Sequence, residues 1–153
     1  MIPSKACPII LSHSHQPRIM LFRHPLAGVQ IVKGTIEVGE SARQAALREL
    51  NEEAGIDCAV ISADLGCWDA EHLAQVWSFH LCEPRIALPE QWTYNTCDGG
   101  GLFFEFFWAA FDDLPYDQCH PVFCRALRFL TVTLDTSGYL RPNKAFVRRP
   151  ANL

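Results

Sequence analysis

Ser41 to Ala54 (SARQAALRELNEEA) is the stretch that most constrains the fold, because every local preference in it points to one conformation. It contains neither glycine nor proline and is dominated by strong helix formers. Ser41 offers a side-chain oxygen to the orphan amides of a first turn, and Gly55 stands where a left-handed stop would follow. The spacing predicts a helix over Ser41 to Ala54 with Ala46, Leu47, Leu50 and Ala54 along one apolar stripe. Glu49, Glu52 and Glu53 fall on a neighbouring arc, related by i, i+3 and i, i+4, so their carboxylates are expected to converge.

Local energetics oppose that placement. Like charges one turn apart repel, and acids in a last turn face the negative end of the helix dipole. A hard cation resolves the conflict, since Mg²⁺ or Mn²⁺ seeks carboxylate oxygens and keeps sites open for phosphate oxygens. On an arbitrary surface helix three acids amount to a solvated face. The preceding loop, Gly34-Thr35-Ile36-Glu37-Val38-Gly39-Glu40, argues for more, because its two glycines permit close backbone approach and it leads straight into the helix. Arg48, one turn before Glu52, is placed to hold a carboxylate.

Around this helix, Arg18 to Phe22, Val29 to Val32, Ile56 to Ile61, Gln75 to Cys82 and Leu102 to Phe111 are apolar runs that predict strands. Asp98 to Gly101 supplies a turn between the last of these and the segment around Trp92 to Asn95. A second helix is predicted over Asp117 to Leu130, with Pro121 in its first turn and Val122, Ala126 and Phe129 at helical spacing. The tail from Arg141, with its prolines and paired arginines, is expected to be loosely held. No repeat or linker divides residues 1–153, so one domain is expected, with strands forming a single sheet covered on both faces.

A net charge of −4 and a pI near 5.8 argue against a surface that grips extended nucleic acid, and leave a small anionic ligand met by metal or local arginine. The seven cysteines are odd in number and irregularly spaced, which suits reduced thiols and a cytoplasmic protein better than a disulfide framework. The first residues lack a continuous apolar run and no stretch is long enough to span a bilayer, so neither an export signal nor a membrane partner is expected. Nothing in the chain settles oligomeric state, and a homodimer is compatible with it.

The segment Gly34 to Ile56, GTIEVGESARQAALRELNEEAGI, resembles the Nudix box at every defined position. Gly34, Glu40, Arg48, Glu49, Leu50, Glu52, Glu53, Gly55 and Ile56 fill it without a gap. The resemblance implies an α/β fold, the Nudix α/β/α sandwich with a mixed β-sheet between helices. It implies metal-dependent hydrolysis of a pyrophosphate bond in a nucleoside diphosphate linked to another moiety X, a small nucleotide-like substrate. Glu49, Glu52 and Glu53 would coordinate Mg²⁺ or Mn²⁺, with the Gly34 backbone carbonyl a further ligand. Glu40 and Arg48 would support them, and Glu49 or Glu53 would serve as the general base on the helix. The alternative is a catalytically inactive Nudix-fold module that binds nucleotides or regulates.

Outside the box, Asp98 and Glu105 lead as candidate bases, with Glu83 and Glu90 behind. Glu105 interrupts an apolar strand, which fits either a catalytic acid or an outward position on a half-exposed sheet. Lys33, Arg18 and Arg23 are candidates for phosphate contact, each also readable as a surface charge. The pairs His13/His15 and Cys119-His120 with Cys124 lack a four-ligand zinc pattern and read better as loop residues and buried thiols. Relatives acting on ADP-ribose or diadenosine polyphosphates tend to carry a proline or tyrosine shortly after the box. Ala70 to Gln75 has neither, so X stays undetermined.

Overall fold

The computed structural model describes residues 1–97 and 100–142. Asp98, Gly99 and everything after Pro142 lie outside the described residues, and with them half of the expected turn and most of the expected tail.

The element order is β1 (Lys5–Ile9), β2 (Arg18–His24), β3 (Gly28–Gln30), β4 (Gly34–Thr35), α1 (Ala42–Ala54), β5 (Ala59–Asp69), β6 (Val76–Pro84), β7 (Trp92–Thr96), β8 (Leu102–Ala110) and α2 (Pro121–Thr136). The strands form two four-stranded sheets rather than the single one expected, ordered β4-β1-β6-β5 and β3-β2-β8-β7. The first is mixed, since β1 runs parallel to β6 but antiparallel to β4. Between the sheets the backbone continues through the Leu11–Ile19 bridge and a 3.0 Å hydrogen bond from the Met20 amide to the Ile10 carbonyl.

Helices on opposite faces make this an α/β/α sandwich, and the side-chain alternation of the strands shows why. In β2, Ile19 and Leu21 join the core beneath α2, whereas Met20 and Phe22 join the core beneath α1. A strand buried on both faces must be apolar throughout, so the run RIMLF carries no polar alternation. In β6, Trp77, Phe79 and Leu81 face α2, while the alternate positions are Ser78, His80 and Cys82. Two of those alternate residues are polar and buried.

α1 forms where the sequence predicts it. The Ser41 hydroxyl accepts from the Gln44 amide at 3.1 Å and the Gln44 side chain accepts from the Ser41 amide at 2.9 Å, a complete capping box. Gly55 closes the helix at φ 72°, its amide donating to the Asn51 carbonyl. The strand expected from Ile56 begins only at Ala59, because Ile56 is buried in closing the helix end, its amide reaching back to Leu50. That strand then runs on to Asp69. The second helix starts at Pro121, after a separate 3-10 turn at Tyr116–Gln118, and continues to Thr136. His120 caps it through Nδ1, which takes the Val122 amide at 3.1 Å. Among the described residues no helix is long and apolar enough to cross a membrane.

Candidate active site

β4 lies at the edge of the mixed sheet, with Gly34 opposite Ala6 and Thr35 opposite Lys5. The loop after β4 folds on itself. The Glu40 amide donates to the Glu37 carbonyl at 3.0 Å, and the Glu37 amide donates to Glu40 Oε1 at 3.1 Å. This brings the Glu40 carboxylate beneath α1.

Arg48 connects that loop to the helix. Its Nε and Nη2 donate to the two oxygens of Glu40 at 2.7 and 2.9 Å, a forked pair of the strong, directional kind. Nη2 also reaches the Thr35 carbonyl at 2.8 Å. Nη1 donates to Glu49 Oε1 at 2.8 Å and to Glu52 Oε2 at 3.0 Å. One guanidinium thus ties the loop, the edge strand and two acids of the helix together. Hydrogen bonding from Arg48 holds the Glu40 carboxyl below the ordinary carboxylate range, and the Glu40 hydrogen bond keeps Arg48 firmly charged.

Glu49 is the acid that the apolar stripe did not anticipate as buried. It lies on the same packed face as Ala45, Ala46 and Leu50, against Gly34. A Cβ on Gly34 would stand 1.7 Å from Glu49 Cδ, so only glycine leaves room for this carboxylate. Glu53 is half-buried and Glu52 exposed. Lys5, Lys33, Gly34, Thr35, Glu37, Arg48 and the three helix acids line one open cleft of about 330 Å³.

The carboxylates do not close on one another as helical spacing alone suggests. The Arg48 guanidinium stands between Glu49 and Glu52, and among the described residues no group of three acids, histidines or cysteines is disposed to hold a metal ion. The donor chemistry nevertheless suits a hard divalent cation. It consists of carboxylate oxygens beside a backbone carbonyl strand edge, with the close approach of Glu49 to Gly34 already made.

Lys33 enters the cleft as one of the sequence candidates for phosphate contact. Its ammonium sits 5.0 Å from the Trp77 ring centre and 5.9 Å from that of Phe123. Burial pushes its pKa below the usual lysine value. Lys5, which donates to Thr35 Oγ1 at 2.7 Å, and Glu37 are cleft residues that sequence reasoning misses. Finding Lys5 depends on recognising β1, whose KACPI is short and interrupted by proline.

Other candidates lie elsewhere. Glu105 and Arg23 face each other across β8 and β2 and line a separate cavity with Gln91, Trp92 and Thr93. The alternation of β8 explains this, because it buries Phe104 and Phe106 and turns Glu105 outward. Arg23 lies over the Phe107 ring at 4.2 Å. Glu83 pairs with His13, and Glu90 receives both guanidinium arms of Arg18 at 3.1 and 3.2 Å. Asp98 is outside the described residues. The Cys119 and Cys124 thiols donate to the Pro115 and Tyr116 carbonyls.

The NUDIX domain family matches residues 4–127 of the chain. No curated protein matches. Among solved structures, an ADP-ribose pyrophosphatase from Streptococcus suis is similar at TM-score 0.64 and 17% identity, covering 88% of this chain and 90% of that one. A UDP-X diphosphatase is similar at TM-score 0.62 and 16% identity, over 93% of this chain and 66% of the other. A Nudix hydrolase from M. smegmatis, RenU, is similar at TM-score 0.60 and 16% identity, over 93% and 91% of the two chains.

Proposed function

The chain belongs to the NUDIX family of pyrophosphohydrolases, and on that premise we propose that its Gly34–Glu53 cleft hydrolyses a nucleoside diphosphate linked to a second moiety X. The observation that carries the reading is the Arg48 hub, which directs its donors to Glu40, Thr35, Glu49 and Glu52 and so orients acids that helix electrostatics would otherwise splay apart.

Glu49, Glu52 and Glu53, with the Gly34 carbonyl, would hold Mg²⁺ or Mn²⁺, which when bound neutralises charge on the phosphate oxygens. The chain's own groups supply the rest. Glu40 holds Arg48 through the Nε and Nη2 fork, which leaves Nη1 to fix Glu49 and Glu52 rather than compete for substrate. Lys33, beside Gly34 in the lining of the cleft, meets a phosphate oxygen of the substrate. Glu49 or Glu53, both helix acids of this cleft, takes the proton from the attacking water, and Glu53 is the one tested below. Water oxygen bonds to phosphorus in line, the bond from phosphorus to the bridging oxygen breaks, and a nucleoside monophosphate and phosphorylated X depart.

The names of the similar structures, one for ADP-ribose and one for UDP-X, support the diphosphate-linked class. The net charge of −4 fits a small substrate drawn in by local cations rather than extended nucleic acid. Seven free thiols fit a reducing compartment, and we place the protein in the cytoplasm.

The test is product formation, read by chromatography as nucleoside monophosphate and phosphorylated X, across nucleoside diphosphate sugars, dinucleotides, nucleoside triphosphates and capped RNA, with Mg²⁺ or Mn²⁺ against chelator. Glu53→Gln runs beside wild type. Metal-dependent turnover on a diphosphate-linked substrate, lowered by about a hundredfold or more in the variant, is the expected result. Equal rates in both proteins would remove Glu53 from the mechanism. Tight nucleotide binding with no turnover on any substrate would replace the enzyme with a binding module.

A further inference from the structure

Beneath the first half of α1 lies a polar cluster that the cleft does not use. His80 and Ser78, on the α1 face of β6, are only 4% and 5% exposed in an otherwise apolar layer. His80 Nδ1 is 2.8 Å from Asp64 Oδ1 on β5, and His80 Nε2 is 2.7 Å from Ser78 Oγ. An ionised carboxylate can only accept, so Nδ1 donates to Asp64, and in the neutral ring Nε2 then accepts from the serine hydroxyl. Register shifts in β5 on both sides of Asp64 turn this residue out of regular alternation. From the other side Arg43, in the first turn of α1, grips Asp64 with Nε at 3.1 Å from both oxygens and Nη2 at 2.7 Å. The order serine, histidine, aspartate resembles a nucleophilic triad, but burial of Ser78 and His80 shuts substrate out.

The rest of α1 explains what such a chain of contacts is for. The second half of the helix is anchored by Leu50 and Ala54 in the larger core. The first half rests on Ala45 and Ala46 against Ala6, flanked by the partly buried Ile36 and Ile61, a contact whose buried members are all alanines and which resists sliding or rotation less than the Leu50 end does. Glu49 stands between the two halves and meets Gly34 with no room for a Cβ. Small rotations of α1 therefore move Glu49 relative to the strand edge. A forked arginine–carboxylate pair is directional where alanine contacts are not. Asp64 is also held ionised, chiefly by Arg43 and then by His80.

We propose that Arg43, Asp64, His80 and Ser78 form a positioning relay that sets the rotation of α1 on the sheet and thereby the register of Glu49 against Gly34 in the cation site. This rests on the function proposed for that site, and goes beyond it by assigning control of its geometry to residues outside the cleft.

Mn²⁺ binding to the full chain, titrated by electron paramagnetic resonance, tests the relay without reference to any substrate. Thermal melts accompany each variant. Arg43→Ala and Asp64→Ala should each weaken Mn²⁺ binding by about three- to tenfold, with the double variant no weaker than the worse single one. Arg43→Lys should recover part of the loss. On whichever substrate the screen identifies, kcat should fall in parallel while KM holds. Because Arg43 is exposed on the helix surface, Arg43→Ala and Arg43→Lys carry the test if Asp64→Ala fails to fold. Unchanged Mn²⁺ affinity in folded Arg43→Ala, or fully additive losses in the double variant, overturns the relay while leaving the cation site in place. Wild-type protein that binds no Mn²⁺ overturns the proposed function, and the relay with it.

Discussion

At Gly34 the requirement for glycine is spatial rather than conformational, since a Cβ there would meet the carboxyl group of Glu49 at 1.7 Å. Gly34→Ala must push Glu49 away from the strand edge or push β4 away from β1. The first outcome should dominate, because Glu49 is a side chain and β4 is hydrogen-bonded through Ala6. We expect Gly34→Ala to remain folded by circular dichroism while losing about ten- to a hundredfold in Mn²⁺ affinity and in kcat, measured by titration and by nucleoside monophosphate formation. A variant with full metal affinity would show that Glu49 need not sit against Gly34. The identity of Glu49 as an acid is plain from the chain. That it is buried is not, because helical periodicity groups it with Glu52 and Glu53, whereas in the fold it shares a face with Leu50.

α1 as an element carries its own beginning and end. The capping box at Ser41 and Gln44 satisfies two amides that would otherwise be orphaned, and neither contact depends on the sheet. Ser41→Ala should therefore cost about 1 kcal/mol of stability, seen as a lower urea midpoint at unchanged slope. Its effect on turnover should be slight, because Arg43 and Arg48 still tether the helix to β5 and to Glu40. A large loss of kcat with little loss of stability would mean that the first turn positions the acids more directly than the Arg43–Asp64 contact does. Strands are less legible than helices. β1 carries Pro8 and gives no clear local signal, yet it lies at the centre of the mixed sheet, between β4 and β6. Its stability comes from two neighbours far along the chain, which no local window contains.

Across the whole molecule, acid should be the weak side. Glu40 and Asp64 are both held below the ordinary carboxylate range, the first by Arg48 and the second by Arg43 with help from His80. Unfolded carboxylates titrate near pH 4, so below about pH 5 the unfolded chain binds protons that the folded chain refuses. The contribution of these groups is complete above the unfolded values and is lost as pH falls through the lower, folded ones. Melting temperatures measured from about pH 6 down to about pH 3 should fall, and Arg43→Ala should flatten part of that slope. An identical slope in the variant would show that Asp64 titrates normally despite its partner. The sequence by itself determined the helix from Ser41 to Gly55, the glutamates and arginine it carries, and the family to which they belong. These are properties of spacing and of contacts within a few residues. Only the tertiary structure decided that Arg48 would stand between Glu49 and Glu52, that Glu105 and Arg23 would turn toward a different cavity, and that Lys5 and Lys33 would border the acids. The reason is physical: a side chain's chemistry is local, but its direction depends on which strand lies beside it and which face a distant helix covers.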